Sequence, residues 1–159
     1  MTSPTPSTSP NPDRPSDAAS AALFDAVTAE HAAIYGYGIV SAHSSPDEND
    51  LVSEAMAQHR ERREAAIALL SGRSAKVPLP AAGYQLPSAV TDPTAAANLA
   101  VQMENDCAVA WRAVIEQATS EQDRAFGVTA LTESAVLAAR WKQVLRLVPV
   151  TVAFPGGSE

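Results

Sequence analysis

The sequence predicts an all-α fold, four helices in two antiparallel hairpins joined by a long crossover loop. Composition gives the first reason, because the chain is 46% hydrophobic but only 5% aromatic. Alanine supplies much of that apolar total, and alanine is the best helix former and a poor strand residue. Periodicity gives the second, since apolar residues recur at steps of three and four through four long stretches. Punctuation gives the third: clusters of proline, glycine and capping residues divide those stretches from one another. At 159 residues the chain reads as one domain, long enough to bury a real core.

Residues 1–17, MTSPTPSTSPNPDRPSD, hold no apolar run. They bury too little to offset the entropy of ordering and are expected to be a disordered tail. The helical domain is expected over residues 18–148. Its first helix runs from about Ala18 to Ala42, with Leu23, Val27 and Ile34 on one face. SSPDEND then interrupts the pattern. Ser45 as N-cap, Pro46 at the first helical position and Glu48 at the third make a capping box. A second helix follows to about Leu70, closed by Ser71-Gly72. The next stretch, GRSAKVPLPAAGYQLPSAVTD, has three prolines and two glycines, a composition no helix survives. Asp92-Pro93 restarts the pattern and carries a third helix to about Ala118. Ser120 caps a fourth, which runs to about Leu147 before Pro149 stops it. Residues 149–159 read as an extended C-terminal tail. Short turns make antiparallel neighbours, and the central connection can travel the length of such a bundle, about 35 Å.

Charge narrows the function. A formal charge of −7 and a pI near 4.9 argue against nucleic acid and anionic membrane as partners. HRERRE, residues 59–64, alternates in sign and reads as a solvated helix face. Cys107 is the single cysteine, so neither an intrachain disulfide nor a thiolate zinc cluster can form. No uninterrupted apolar run of about 18 residues is present, and no secretory signal pattern. The expected location is cytoplasmic.

Within each helix a strict apolar stripe carries an ionisable residue near its middle. The third helix gives Ala97, Ala100, Glu104, Cys107, Trp111 and Val114; the fourth gives Phe126, Ala130, Glu133, Leu137, Arg140, Val144 and Leu147. The second gives Val52, Met56, His59, Arg63, Ala66 and Leu70; the first gives Leu23, Val27, Glu30, Ile34 and Tyr37. Counting outward from the two short turns, Glu30 and His59 lie about equally far from the first, and Glu104 and Glu133 from the second. At a rise of about 1.5 Å per residue, each pair shares a level to within one helical turn. Glu30, His59, Glu104 and Glu133 are therefore expected in one central layer. Isolated charges there would cost several kcal/mol or more. Two resolutions stand side by side. A divalent metal such as iron, manganese or zinc suits carboxylate and imidazole ligands. Alternatively, Arg63 or Arg140 forks onto the carboxylates in a metal-free network.

Together, AEHAAIYGYGIV, QHRERREAA, YQLP, ENDCAVAWR and LTESAVLAARW resemble an alanine-rich actinobacterial family of ferritin-like domains without an assigned activity. The likeness covers about residues 20–146 and implies a ferritin-like four-helix bundle, often paired as a homodimer. The two-hairpin layout is similar to that superfamily as a whole. Its di-iron pattern places a glutamate on helices one and three and Glu-x-x-His on helices two and four. Glu30, His59, Glu104 and Glu133 match four of those six positions. Met56 and Val136 stand where the other two ligands belong. Four ligands fit one metal or none, rather than an oxygen-activating pair.

Other residues take plainer readings. His31 is read as a bundle-edge histidine, Tyr37 as a core tyrosine with its hydroxyl satisfied, and Cys107 as a small apolar filler. Trp111 and Trp141 are read as core or interface anchors. Gly36 and Gly38 each weaken the first helix by about 1 kcal/mol, which close helix approach would explain. No phosphate loop and no Ser-His-Asp arrangement stands out. With the di-metal pattern incomplete, the chain reads as a binding or scaffolding protein before an enzyme, the alternative being a metal-dependent oxidoreductase or iron-binding protein of the ferritin or rubrerythrin type.

Overall fold

The computed structural model describes residues 11–157. Four helices account for most of them: α1 (Ala18–His43), α2 (Asn49–Gly72), α3 (Pro93–Gln117) and α4 (Glu121–Val144). No strand occurs among the described residues. Caps begin three of the helices. Asp17 accepts from Ser20 N at 2.9 Å, Asp92 from Ala95 N at 2.8 Å, and Ser120 from Asp123 N at 3.1 Å. Ser45 departs from the expected box. Pro46–Glu48 form a single 3-10 turn, and the Ser45 hydroxyl is donated to the Glu48 carboxylate rather than serving a backbone amide. Two helices end in the Schellman pattern, with Ser74 and Arg146 in the left-handed region at φ 55. That turn closes α4 at Val144, three residues before the expected Leu147.

The helices form a bundle in which α1 packs on α2 and α3, and α3 packs on α4. Directions follow from the pairings. Trp111 meets Glu30 and Glu104 meets Tyr37, so α1 and α3 run oppositely. Helices α2 and α4 come close at few points. Ion pairs bridge that seam: Glu54 with Arg140 at 2.7 Å, Arg62 with Glu133 at 3.0 Å, and Arg73 with Asp123. A cavity of about 150 Å³ opens in the seam between Arg62 and Ala65 of α2 and Phe126, Thr129 and Glu133 of α4.

Apolar packing falls into two clusters. One gathers Leu23, Val27, Leu70, Trp111 and Val114; the other gathers Tyr37, Val52, Leu99, Leu137 and Trp141. On α2, α3 and α4 the boundary between them falls at the expected polar level, and on α1 it falls between Ala33 and Tyr37, about one turn beyond Glu30. Alanines on the inner faces, such as Ala26, Ala55, Ala66 and Ala100, are fully buried and let the helix axes approach.

Gly36 and Gly38 differ. A Cβ on Gly36 would collide with the Met103 sulfur, so α1 and α3 do approach closely there, whereas nothing lies within 4 Å of one on Gly38. Gly38 is exposed, and Gly38→Ala is expected to stabilise the protein by about 1 kcal/mol. Gly36→Ala should gain nothing, because Met103 must move. Urea midpoints of the two variants test this; equal gains would show that helix approach does not constrain Gly36.

Of the expected N-terminal tail, residues 1–10 lie outside the described residues. The part from 11 to 17 lies against the bundle through Arg14 and Asp25, 2.7 Å apart, and through Asp13 and Lys76. Both pairs are exposed and hold it weakly. At the other end, the chain after α4 turns back over α3. Gly156, at φ +75, brings its backbone so close to the Ala108 carbonyl that a Cβ would clash.

Candidate functional site

Glu30, His59 and Glu104 meet at the centre of the bundle, each 0% exposed. The imidazole bridges the carboxylates, with Nδ1 2.6 Å from Glu30 Oε2 and Nε2 3.0 Å from Glu104 Oε1. Bridging two carboxylates through both ring nitrogens requires a proton on each, which makes the ring an imidazolium. Burial by itself would lower the pKa of His59. The bonds to Glu104 and Glu30 outweigh it and raise the value from 6.5 to about 9.

Arg62 supplies the second cation and is 3% exposed. Its Nε donates to Glu30 Oε1 at 3.1 Å and its Nη1 to Glu133 Oε2 at 3.0 Å. Nη2 lies 2.8 Å from His59 Nδ1, so the two cations touch, held by the Glu30 carboxylate they share. Glu30 Oε1 also accepts from Trp111 Nε1 at 2.7 Å. Burial works to raise the Glu30 pKa, but His59, Arg62 and Trp111 bring it below its ordinary value. Tyr37 completes the layer, donating to Glu104 Oε1 at 2.5 Å and accepting from Trp141 Nε1 at 2.9 Å. Its pKa is pushed well above 10 by burial and by Glu104, so it stays a neutral donor. Glu104 Oε2 is buried with no hydrogen-bond partner.

Four buried charges therefore balance: Glu30 and Glu104 against His59 and Arg62. Glu133, with its side chain 38% exposed, lies at the solvent margin and reaches the layer through Arg62. Three of the four sequence-predicted residues are together at the centre and the fourth is joined to them by a guanidinium.

That guanidinium belongs neither to Arg63 nor to Arg140. Arg63 pairs with its neighbour Glu64 at 2.7 Å on the exposed side, and Arg140 pairs with Glu54. The inner line of α2 is Val52, Ala55, His59, Arg62, Ala66 and Leu70. The expected stripe shares Val52, His59, Ala66 and Leu70 with it and differs only in taking Met56 for Ala55 and Arg63 for Arg62. The same one-residue offset separates the expected Arg140 from Trp141, which is fully buried. His31 sits at the bundle edge as expected, with Nε2 3.2 Å from the Pro78 carbonyl of the crossover.

Among the described residues, Glu30, His59 and Cys107 have ligand atoms for a metal within 4.8 Å of one another. Cys107 is buried, and burial beside Glu30 and Glu104 pushes its thiol pKa well above 9. Both oxygens of Glu30 are already engaged, by His59, Arg62 and Trp111, so the set is a partial fit.

Residues 22–159 match the family described as a domain of unknown function, DUF4439. Nothing among the curated proteins matches the chain. A solved structure is similar over most of the chain: the crystal structure of a conserved hypothetical protein, rv2844, from Mycobacterium tuberculosis. It is 57% identical with a TM-score of 0.80, over 82% of this chain and 98% of that one. No helix among the described residues is long and apolar enough to cross a membrane. With the family match running from α1 to the end of the described residues, the chain belongs to the DUF4439 family of domains of unknown function.

Proposed function

We propose that this protein is a ferritin-like bundle in which balanced side-chain charges occupy the di-metal layer, and that it acts as a non-catalytic binding or scaffolding module. Two helical hairpins, a crossover of about twenty residues, and α1 lying between α2 and α3 support the ferritin-like topology. The observation that carries the reading is Arg62. Its guanidinium lies against Glu30, Glu133 and His59, on the side where a second metal would need the same carboxylates. Fixed cations neutralise the layer, and the layer in turn sets how four alanine-lined helices align.

Elemental analysis of protein purified without chelator tests this. The expected result is no stoichiometric iron, manganese or zinc, and a melting temperature that chelator leaves unchanged. A second reading, one divalent ion held by Glu30, His59 and Glu104 with Glu133 or Cys107 at the edge, is favoured by the unpartnered Glu104 Oε2. It requires His59 to release the proton of its ligating nitrogen and would show as about one equivalent of metal, lost in His59→Ala.

A homodimer is the assembly we favour. Val128, Val136 and Val144, spaced along α4, and Val109 on α3 are each at least 39% exposed, an apolar surface suited to a second copy. A cytoplasmic location accords with a single, buried, unpaired cysteine.

A further inference from the structure

Opposite the α2–α4 seam, a cavity of about 410 Å³ lies between α1 and α3 under the crossover residues Tyr84 to Pro87. Its α1 wall is built of alanines and Gly36, and the absence of larger side chains there makes the room. Met103 adds a flexible thioether that can adapt to an occupant. Tyr35 and Tyr84 stand on the cavity lining as a tilted pair, ring centroids 5.2 Å apart at 49°. Tyr35 is 43% exposed, so the pair is reachable from solvent.

The electrostatics are one-sided. Asp106 is the one formally charged side chain of the lining, and no lysine, arginine or histidine faces it there. Its carboxylate has no hydrogen-bond or ion-pair partner among the described residues, and its pKa is raised by partial burial. Gln102, one helical turn earlier on the same face, adds an unengaged amide. Asp106 is exposed at the cavity rim, and a carboxylate with no cation beside it is open to a charge-assisted bond from an ammonium ligand. Aromatic faces attract the same kind of group. The volume falls in the range of small-molecule sites, which are mostly apolar with a few placed polar groups.

We propose that this cavity binds an organic ammonium compound, a small amine with a flat apolar body. Asp106 and Gln102 receive the ammonium, and Tyr35, Tyr84 and the alanine wall cover the body. The site does not depend on the reading of the central layer, because its lining carries none of Glu30, His59, Arg62 and Glu104.

Calorimetric titration of the full chain with 2-phenylethylamine and with 2-phenylethanol, its neutral analogue, tests the proposal. The amine is expected to bind saturably and at least about tenfold more tightly than the alcohol. Asp106→Asn should erase that difference, and Ala32→Phe, which fills the cavity, should abolish binding of both. Circular dichroism checks that each variant keeps its helices. Absence of saturable amine binding to the unaltered protein would overturn the proposal. So would equal affinity for amine and alcohol, or a preference that survives Asp106→Asn.

Discussion

Arg62→Ala is expected to lower the free energy of unfolding by about 3–5 kcal/mol, because it strands the buried Glu30 carboxylate and removes one of two balancing cations. A domain of this size has only about 5–15 kcal/mol in total, so the variant should melt far earlier. Arg63→Ala, one position along, should stay within about 0.5 kcal/mol, since Arg63 pairs only with exposed Glu64. Urea denaturation of both variants makes the comparison. A double change, Arg62→Met with Glu30→Gln, should cost less than the sum of the single changes, because the two side chains share a bond. If Arg63→Ala costs more than Arg62→Ala, the assignment of the inner arginine is wrong.

Stability should also fall on the alkaline side. His59 carries its proton up to about pH 9 in the folded protein, against 6.5 ordinarily. Since the folded value is the higher one, the stabilisation is complete below pH 6.5 and disappears as pH rises through about 9. Its full size is about 3 kcal/mol, taking about 1.4 kcal/mol for each pH unit between the two values. Glu30 acts with the opposite sign. Its folded value is lowered, so its contribution is present above 4.5 and is lost as pH falls below that. His31, also lowered by burial, has no part above 6.5. Denaturation midpoints between pH 6 and 8, below the range where the raised Cys107 and Tyr37 also lower stability, measure the slope, and His59→Gln should flatten it. A slope unchanged by that substitution would mean that His59 is not the titrating group.

Much of this was legible in the residues. Helix boundaries followed from Asp92-Pro93, Ser120 and the proline-rich crossover, and the observed ends lie within about three residues of those expected. Stripes on α1 and α3 were right in their polar members because Glu30 and Glu104 are flanked by unambiguous buried neighbours, such as Val27 and Trp111. On α2 the expected line holds at Val52, His59, Ala66 and Leu70 and is off by one at Met56 and Arg63; on α4 it holds at Ala130 and Leu137 and is off by one at Glu133 and Arg140. Steps of three and four drift about 20° per heptad against a true period of 3.6. Where alanine is the core residue, nothing in side-chain size marks which of two adjacent lines faces inward. Ala55 is buried and Met56 only partly so, the reverse of what hydrophobic bulk suggests. Five charged residues follow His59 in HRERRE, three of them arginines, and only the packed geometry selects Arg62 among them. Tyr37 as donor to Glu104 and Trp111 as donor to Glu30 were likewise hidden, since long-range pairing leaves no local trace.

The seam between α2 and α4 bears on how the interior communicates with water. Three of the four neighbouring helix boundaries of such a bundle are closed by apolar packing, and this one is closed by charge. Fastenings of that kind loosen with ionic strength, where dispersion contacts do not. Helix α2, clasped firmly on its α1 flank alone, is thus the natural leaf to swing outward in a transient opening. On this side Arg62 and the half-exposed Glu133 stand between the imidazole and water. An interior that is sealed in the time average would still equilibrate with the acidity of its surroundings.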